Sequence, residues 1–130
     1  MLLDKDTILK RAVGKKEKVD HPEGGHVFLR ALPMTDLDEF ESENYVFDGK
    51  TVKFNRRDYR ARLLIRAICD EEGKPLFTLK DIGALGKKSG PFLHECFKAA
   101  QRLNGLVGEE EVEQAVKNSE AAPGGDSVSA

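Results

Sequence analysis

Residues 56–69, RRDYRARLLIRAIC, set the terms for the rest of the chain. At helical spacing Tyr59, Ala61, Leu63, Leu64, Ile65, Ala67 and Ile68 cover well over half of the circumference, and a helix this apolar belongs in the middle of a domain. Arg56, Arg57, Arg60, Arg62 and Arg66 ride on the same segment. A basic tract on one helix can bind phosphates. Here Glu39, Glu41, Glu43 and Asp48 lie just upstream, so the expectation is that the arginines pair with carboxylates and rest their stems on apolar surface. Asn55 is placed to cap the helix, and the polar turn at 70–75, with its proline, stops it.

The neighbouring elements follow from caps and turns. Leu2, Leu3, Ile8, Leu9, Ala12 and Val13 recur at helical spacing, with Asp4 or Asp6 as N-cap and Gly14 just past the end. Residues 18–21 and 26–32 flank Pro22-Glu23-Gly24-Gly25, which predicts a hairpin with the better-formed strand second. Thr35 is placed to cap an acidic helix in which Leu37 and Phe40 face inward. Residues 45–47 and 50–54 surround Asp48-Gly49, the signal for a type I′ hairpin. Thr78 caps a short helix with Asp81 at its third position and Phe77 stapled onto Ile82. Pro91 opens a longer helix whose Phe92, Leu93, Cys96, Phe97, Ala100 and Leu103 form one apolar face, closed by Asn104-Gly105. A last weak helix is expected from Gly108, carrying Val112, Ala115 and Val116. From Asn118 onward the sequence has nothing to bury.

These elements predict an α+β chain: a mostly helical single domain over residues 1–117, with short antiparallel hairpin strands at 26–32 and 45–54, and a disordered tail at 118–130. An all-α arrangement is the alternative. At 130 residues the chain can bury a real core without disulfide or metal staples. Twenty-one Lys and Arg against twenty-three Asp and Glu give a net charge of −2, which does not favour nucleic acid. Residues 1–66 carry fourteen basic and twelve acidic groups and residues 67–130 seven and eleven, an asymmetry that could orient partners or self-association. No apolar run approaches bilayer length, and acids at Asp4 and Asp6 interrupt the start where a signal peptide is apolar, so a cytoplasmic protein without a membrane segment is expected.

No catalytic constellation emerges, and no cofactor or metal is expected. His21 and His26 flank a turn and His94 lies near Cys96, but no recognised metal-ligand spacing joins them. Cys69 and Cys96 read as small buried thiols. Gly24-Gly25 and Gly83-Ala84-Leu85-Gly86 fit neither phosphate-loop pattern. Residues 78–103 superficially read as a helix-turn-helix, yet the second helix begins Gly-Pro-Phe, carries Glu95 and spends its large residues on an apolar face, leaving few donors for base edges.

The order of these phrases resembles the tail assembly chaperones of long, noncontractile-tailed bacteriophages and their prophages. The resemblance runs through the extended segment His26-Val-Phe-Leu-Arg-Ala-Leu-Pro33, the acidic helix at 35–43, the Ala- and Arg-rich helix at 55–69, the turn Asp70-Glu-Glu-Gly-Lys-Pro-Leu-Phe77 and the phrase Gln101-Arg-Leu-Asn-Gly-Leu106. It covers roughly residues 26–117 and leaves the first 25 unmatched. It implies a nonenzymatic role in tail assembly in the host cytoplasm: binding the tape measure protein, recruiting the tail tube (major tail) protein, and absence from the mature virion. It also implies a translational frameshift that yields a longer form. The work would call for an accessible apolar surface. Phe47, Phe54, Phe92 and Phe97 are the candidates for it, but aromatics at these spacings are expected in the core, so no partner-binding residue is assigned.

Overall fold

Arg62 and Arg66 are buried one helical turn apart on the chain's central helix. The computed structural model describes residues 1–106; the expected last helix and tail lie outside the described residues. The elements run α1 (Lys5–Arg11), β1 (Lys16–Asp20), β2 (His26–Arg30), α2 (Met34–Glu43), β3 (Tyr45–Asp48), β4 (Thr51–Phe54), α3 (Tyr59–Ala67), β5 (Ile68–Cys69), α4 (Ile82–Gly86) and α5 (Pro91–Leu103), with a 3₁₀ turn at Leu79–Asp81. This is a small α+β arrangement. The strands form an antiparallel sheet in the order β1-β2-β5 and a separate β3-β4 hairpin.

The sheet is larger than the sequence suggested. Residues 68–69 were expected to end the central helix, but they leave it and pair with β2, Ile68 opposite Leu29 and Cys69 opposite Phe28. A two-residue strand has no periodicity to read. Its β-branched Ile68 goes where β2 offers an unpaired edge. The following turn is tied by Asp70, whose Oδ1 accepts the N–H groups of Glu72 and Lys74, each at 2.9 Å. The Lys74 bond, with that of Glu72, holds the Asp70 carboxyl below its ordinary range.

The start of α3 also differs. Asn55 does not cap it. Residue 58 is the N-cap, in the left-handed region at φ 55°, and the helix begins at Tyr59. Asn55 is used elsewhere: its Nδ2 donates to the Glu43 carbonyl at 3.0 Å and its N–H to the Asn44 carbonyl at 2.6 Å. Likewise α2 starts at Met34 behind Pro33, and Thr35 makes no cap because it is already inside the helix. The capping box of Thr78 with Asp81 is present as read, the Thr78 N–H donating to Asp81 Oδ2 at 2.8 Å.

Helix α5 packs on β1 and β2 and on α3, which also meets α4. The core between them holds Leu29, Phe40, Leu63, Leu64, Ile68, Cys96, Phe97 and Ala100, with Leu37 packed against it. Each large side chain buried there contributes about 2 kcal/mol of transfer free energy. Gly14, read as a helix end, serves a close approach instead: a Cβ there would stand 3.0 Å from Ala31 Cβ and 3.2 Å from its carbonyl oxygen. The end of α1 is at Ala12.

Candidate partner-binding surface

The β3-β4 hairpin stands on a charged and hydrogen-bonded base. Arg66 Nη2 donates to Glu43 Oε2 at 2.7 Å and Glu39 Oε1 at 2.8 Å, and Arg62 Nη1 donates to Asn44 Oδ1 at 2.8 Å. Arg62 also reaches the carbonyls of Asn55 at 2.8 Å and Arg57 at 3.1 Å. The expected pairing with Glu39 and Glu43 is therefore made; Asp48 instead lies 4.0 Å from Lys53 within the hairpin. Burial pushes the Arg62 guanidinium down, against the pull of Glu43. For Arg66 burial acts the same way, but the bonds from Glu43 and Glu39 outweigh it and hold the group up. Phe40 lies beneath both guanidinium groups, at 5.9 and 6.0 Å.

Because Asn44 and Asn55 flank the hairpin, this network fixes both of its ends. The turn is one residue later than expected: Asp48 pairs with Thr51, so Gly49 and Lys50 form it. Gly49 has φ +64° and Lys50 does not share the positive φ, the pattern of a type II′ turn rather than I′. Tyr45 opposes Phe54 and Phe47 opposes Val52. Alternation then puts these four side chains on one face, with Val46, Lys53, Asp48 and Thr51 on the other.

That apolar face is not in the core. Tyr45 is 52% exposed, Phe47 76%, Val52 53% and Phe54 40%. The expectation that Phe47 and Phe54 are core residues is overturned, while Phe97 is core at 3% exposure and Phe92 is half-buried against the His21 ring at 4.6 Å. The face is joined to the interior through rings: Tyr45 to Phe54 at 6.1 Å, Phe54 to Tyr59 at 5.5 Å, and Tyr59 to Phe40 and Phe97 at 5.3 and 5.9 Å. An exposed apolar cluster of this kind, held out on a fixed base, is the candidate partner-binding surface.

Beside the hairpin lies a cavity of about 750 Å³. Its lining includes Tyr45 and Phe54 of the hairpin, the apolar Leu64, Leu85, Leu93 and Leu106, and the polar side chains of Arg56, Arg60, Lys88, His94, Glu41 and Asp58. Arg56 and Arg60 lie over Phe54 and Phe97, at 5.8 and 5.5 Å.

Of the remaining candidates, His94 lines the cavity beside the hairpin. Among the described residues no group of three or more His, Cys, Asp and Glu is placed to hold a metal ion. Cys69 and Cys96 are buried and unpaired with each other. In the helix-turn-helix reading α5 is the recognition helix; it buries Cys96, Phe97, Ala99 and Ala100 against its own domain and leaves His94, Glu95 and Lys98 on its exposed side, where Glu95 would face the phosphates. No residue of α1 is buried. No helix among the described residues is long and apolar enough to cross a membrane.

The described residues thus form a helical body around a short sheet, with an apolar hairpin on an ion-paired base. Among solved structures the chain is similar to the tail assembly chaperone of bacteriophage HK97, with 20% sequence identity and a TM-score of 0.54 over 75% of this chain and 94% of that one. At that identity the likeness is one of fold. No family model matches the sequence, and no curated protein matches it.

Proposed function

We propose that this protein is a nonenzymatic tail assembly chaperone of a long, noncontractile-tailed bacteriophage or prophage. The observation that carries the reading is the likeness of its fold to the tail assembly chaperone of phage HK97, across nearly the whole of that chain. The exposed face of Tyr45, Phe47, Val52 and Phe54 supplies what the task requires, an apolar surface fixed in shape yet open to a client. In this reading the client is the tape measure protein, a long apolar helical chain that needs cover until tail tube subunits assemble around it. The chaperone recruits the tube protein, works in the host cytoplasm and is left out of the mature virion. Residues 118–130 then serve as the tether at which a frameshifted form would be extended.

The test is an affinity capture of the tagged full chain from cells expressing the neighbouring phage genes, with bound proteins identified by mass spectrometry. Recovery of tape measure or tube protein is the expected result. Recovery of neither, with specific duplex DNA retained instead, overturns the reading. Finding the protein in purified particles would make it a structural tail component.

A further inference from the structure

We propose that Arg62 is the positioning residue of the apolar face: it holds the β3-β4 hairpin in one pose on the body, and without its hold the hairpin opens while the body stays folded. What the face is used for rests on the chaperone reading; how it is held does not. Every residue of β3 and of β4 is exposed. A lone two-stranded hairpin is marginal in water, so the order of this one has to come from what it stands on. Among the described residues α2 packs on β3, and the ring contact of Phe54 with Tyr59 at 5.5 Å is a second tie.

Arg62 grips both ends of the hairpin at once. Its side chain is 7% exposed, on a helix buried in the body. Nη1 donates to Asn44 Oδ1 at 2.8 Å, just before β3, and Nη2 to the Asn55 carbonyl at 2.8 Å, just after β4. Nε donates to the Arg57 carbonyl at 3.1 Å, and the guanidinium lies 5.9 Å from each of the Phe40 and Tyr59 rings. A planar fork of donors can serve three acceptors spread around it; an ammonium acts as a point charge and cannot. Glu43 Oε1 stands 3.8 Å from Nη1, buried and without a hydrogen-bond partner, so this carboxylate balances the charge without fixing the direction of the arginine. Direction comes from the acceptors at the hairpin's ends. Loosening them frees the two strands together, because Asn44 and Asn55 are also bonded to each other, carbonyl to N–H at 2.6 Å.

Amide hydrogen exchange of the free full chain, followed by ¹⁵N NMR over a range of denaturant below unfolding, tests this. By alternation from the Asn44–Asn55 pair, the N–H groups of Val46 and Lys53 cross the hairpin ladder, while those of Leu64 and Ala100 lie in the interiors of α3 and α5. In the natural chain Val46 and Lys53 are expected to exchange through an opening that denaturant scarcely accelerates, and Leu64 and Ala100 through one that it accelerates steeply. Arg62→Lys keeps the charge but not the fork. It is expected to lower the protection of the hairpin amides about tenfold or more while Leu64 and Ala100 stay within about threefold. If that variant does not fold, Asn44 carries the test with the arginine intact: Asn44→Ala is expected to lower hairpin protection, and Asn44→Asp, which keeps an acceptor for Nη1, to restore it. One common exchange rate for all four amides, an equal fall of all four in Arg62→Lys, or protection as low in Asn44→Asp as in Asn44→Ala overturns the proposal. No client enters the measurement, so failure here leaves the chaperone reading standing, and failure of that reading leaves the hold of Arg62.

Discussion

Arg66 and Glu43 meet at 2.7 Å where α3 crosses α2, with the arginine side chain 6% exposed and the glutamate 31%. The same Arg66 nitrogen reaches Glu39 at 2.8 Å, but that carboxylate is 56% exposed. A carboxylate that exposed is screened by solvent, so the two bonds of similar length are of unequal worth. Arg66→Ala is expected to cost about 3 kcal/mol in urea unfolding, with Arg66→Met recovering part of the loss by filling the space without a charge. Double-mutant cycles should give a larger coupling for Arg66 with Glu43 than with Glu39, for which about 0.5 kcal/mol is expected.

Asn104 joins the end of α5 to the chain leaving β2. Its Oδ1 accepts the N–H of buried Leu32 at 2.7 Å, and its Nδ2 donates to the carbonyls of Ala100 at 2.8 Å and Arg30 at 3.3 Å. Asn104→Ala leaves the Leu32 donor without a partner and is expected to cost about 2 kcal/mol. Asn104→Asp should cost at least as much, since its second oxygen would face two carbonyls. Denaturation midpoints of the two variants check both statements.

The sequence declared what local chemistry controls. The Thr78–Asp81 capping box, Pro91 at the head of α5, Phe40 inside and the pairing of Arg66 with upstream glutamates were all legible, because each depends on residues a few positions apart or on the cost of burying a lone charge. Asn104 was read only as a helix stop. Its bond to Leu32 spans 72 positions and leaves no local signature. The hairpin face was misplaced for a related reason. The pattern of Tyr45, Phe47, Val52 and Phe54 says that one side is apolar, but whether a distant element covers that side is decided by the fold.

Burial pushes both thiols up, that of Cys96 to about 11 with a smaller contribution from Glu95. A disulfide reagent at pH 8 should therefore leave the native chain unlabelled and react only as fast as the structure opens. A thiol harder to ionise in the folded chain than in the unfolded one favours folding while both keep the proton. That contribution is complete below the ordinary thiol value of 9.0 and is lost as pH rises toward about 11. Unfolding midpoints measured across that interval should fall in the natural chain and fall less in Cys96→Ala.

The register of the β3-β4 hairpin makes the last prediction directional. Phe47 and Val46 are adjacent and both exposed, at 76% and 48%, yet Phe47 shares its face with Tyr45, Val52 and Phe54 while Val46 lies opposite Lys53. A lysine at either position loses little buried surface, so both variants should keep the thermal midpoint within about 2 °C, given surface substitutions worth at most about 0.5 kcal/mol. Only Phe47→Lys places a charge in the middle of the apolar face. It should abolish capture of the tape measure protein, where Val46→Lys retains it. Equal binding by the two variants would move the client surface off the hairpin, and unequal stability would show that Phe47 is packed more tightly than its exposure implies.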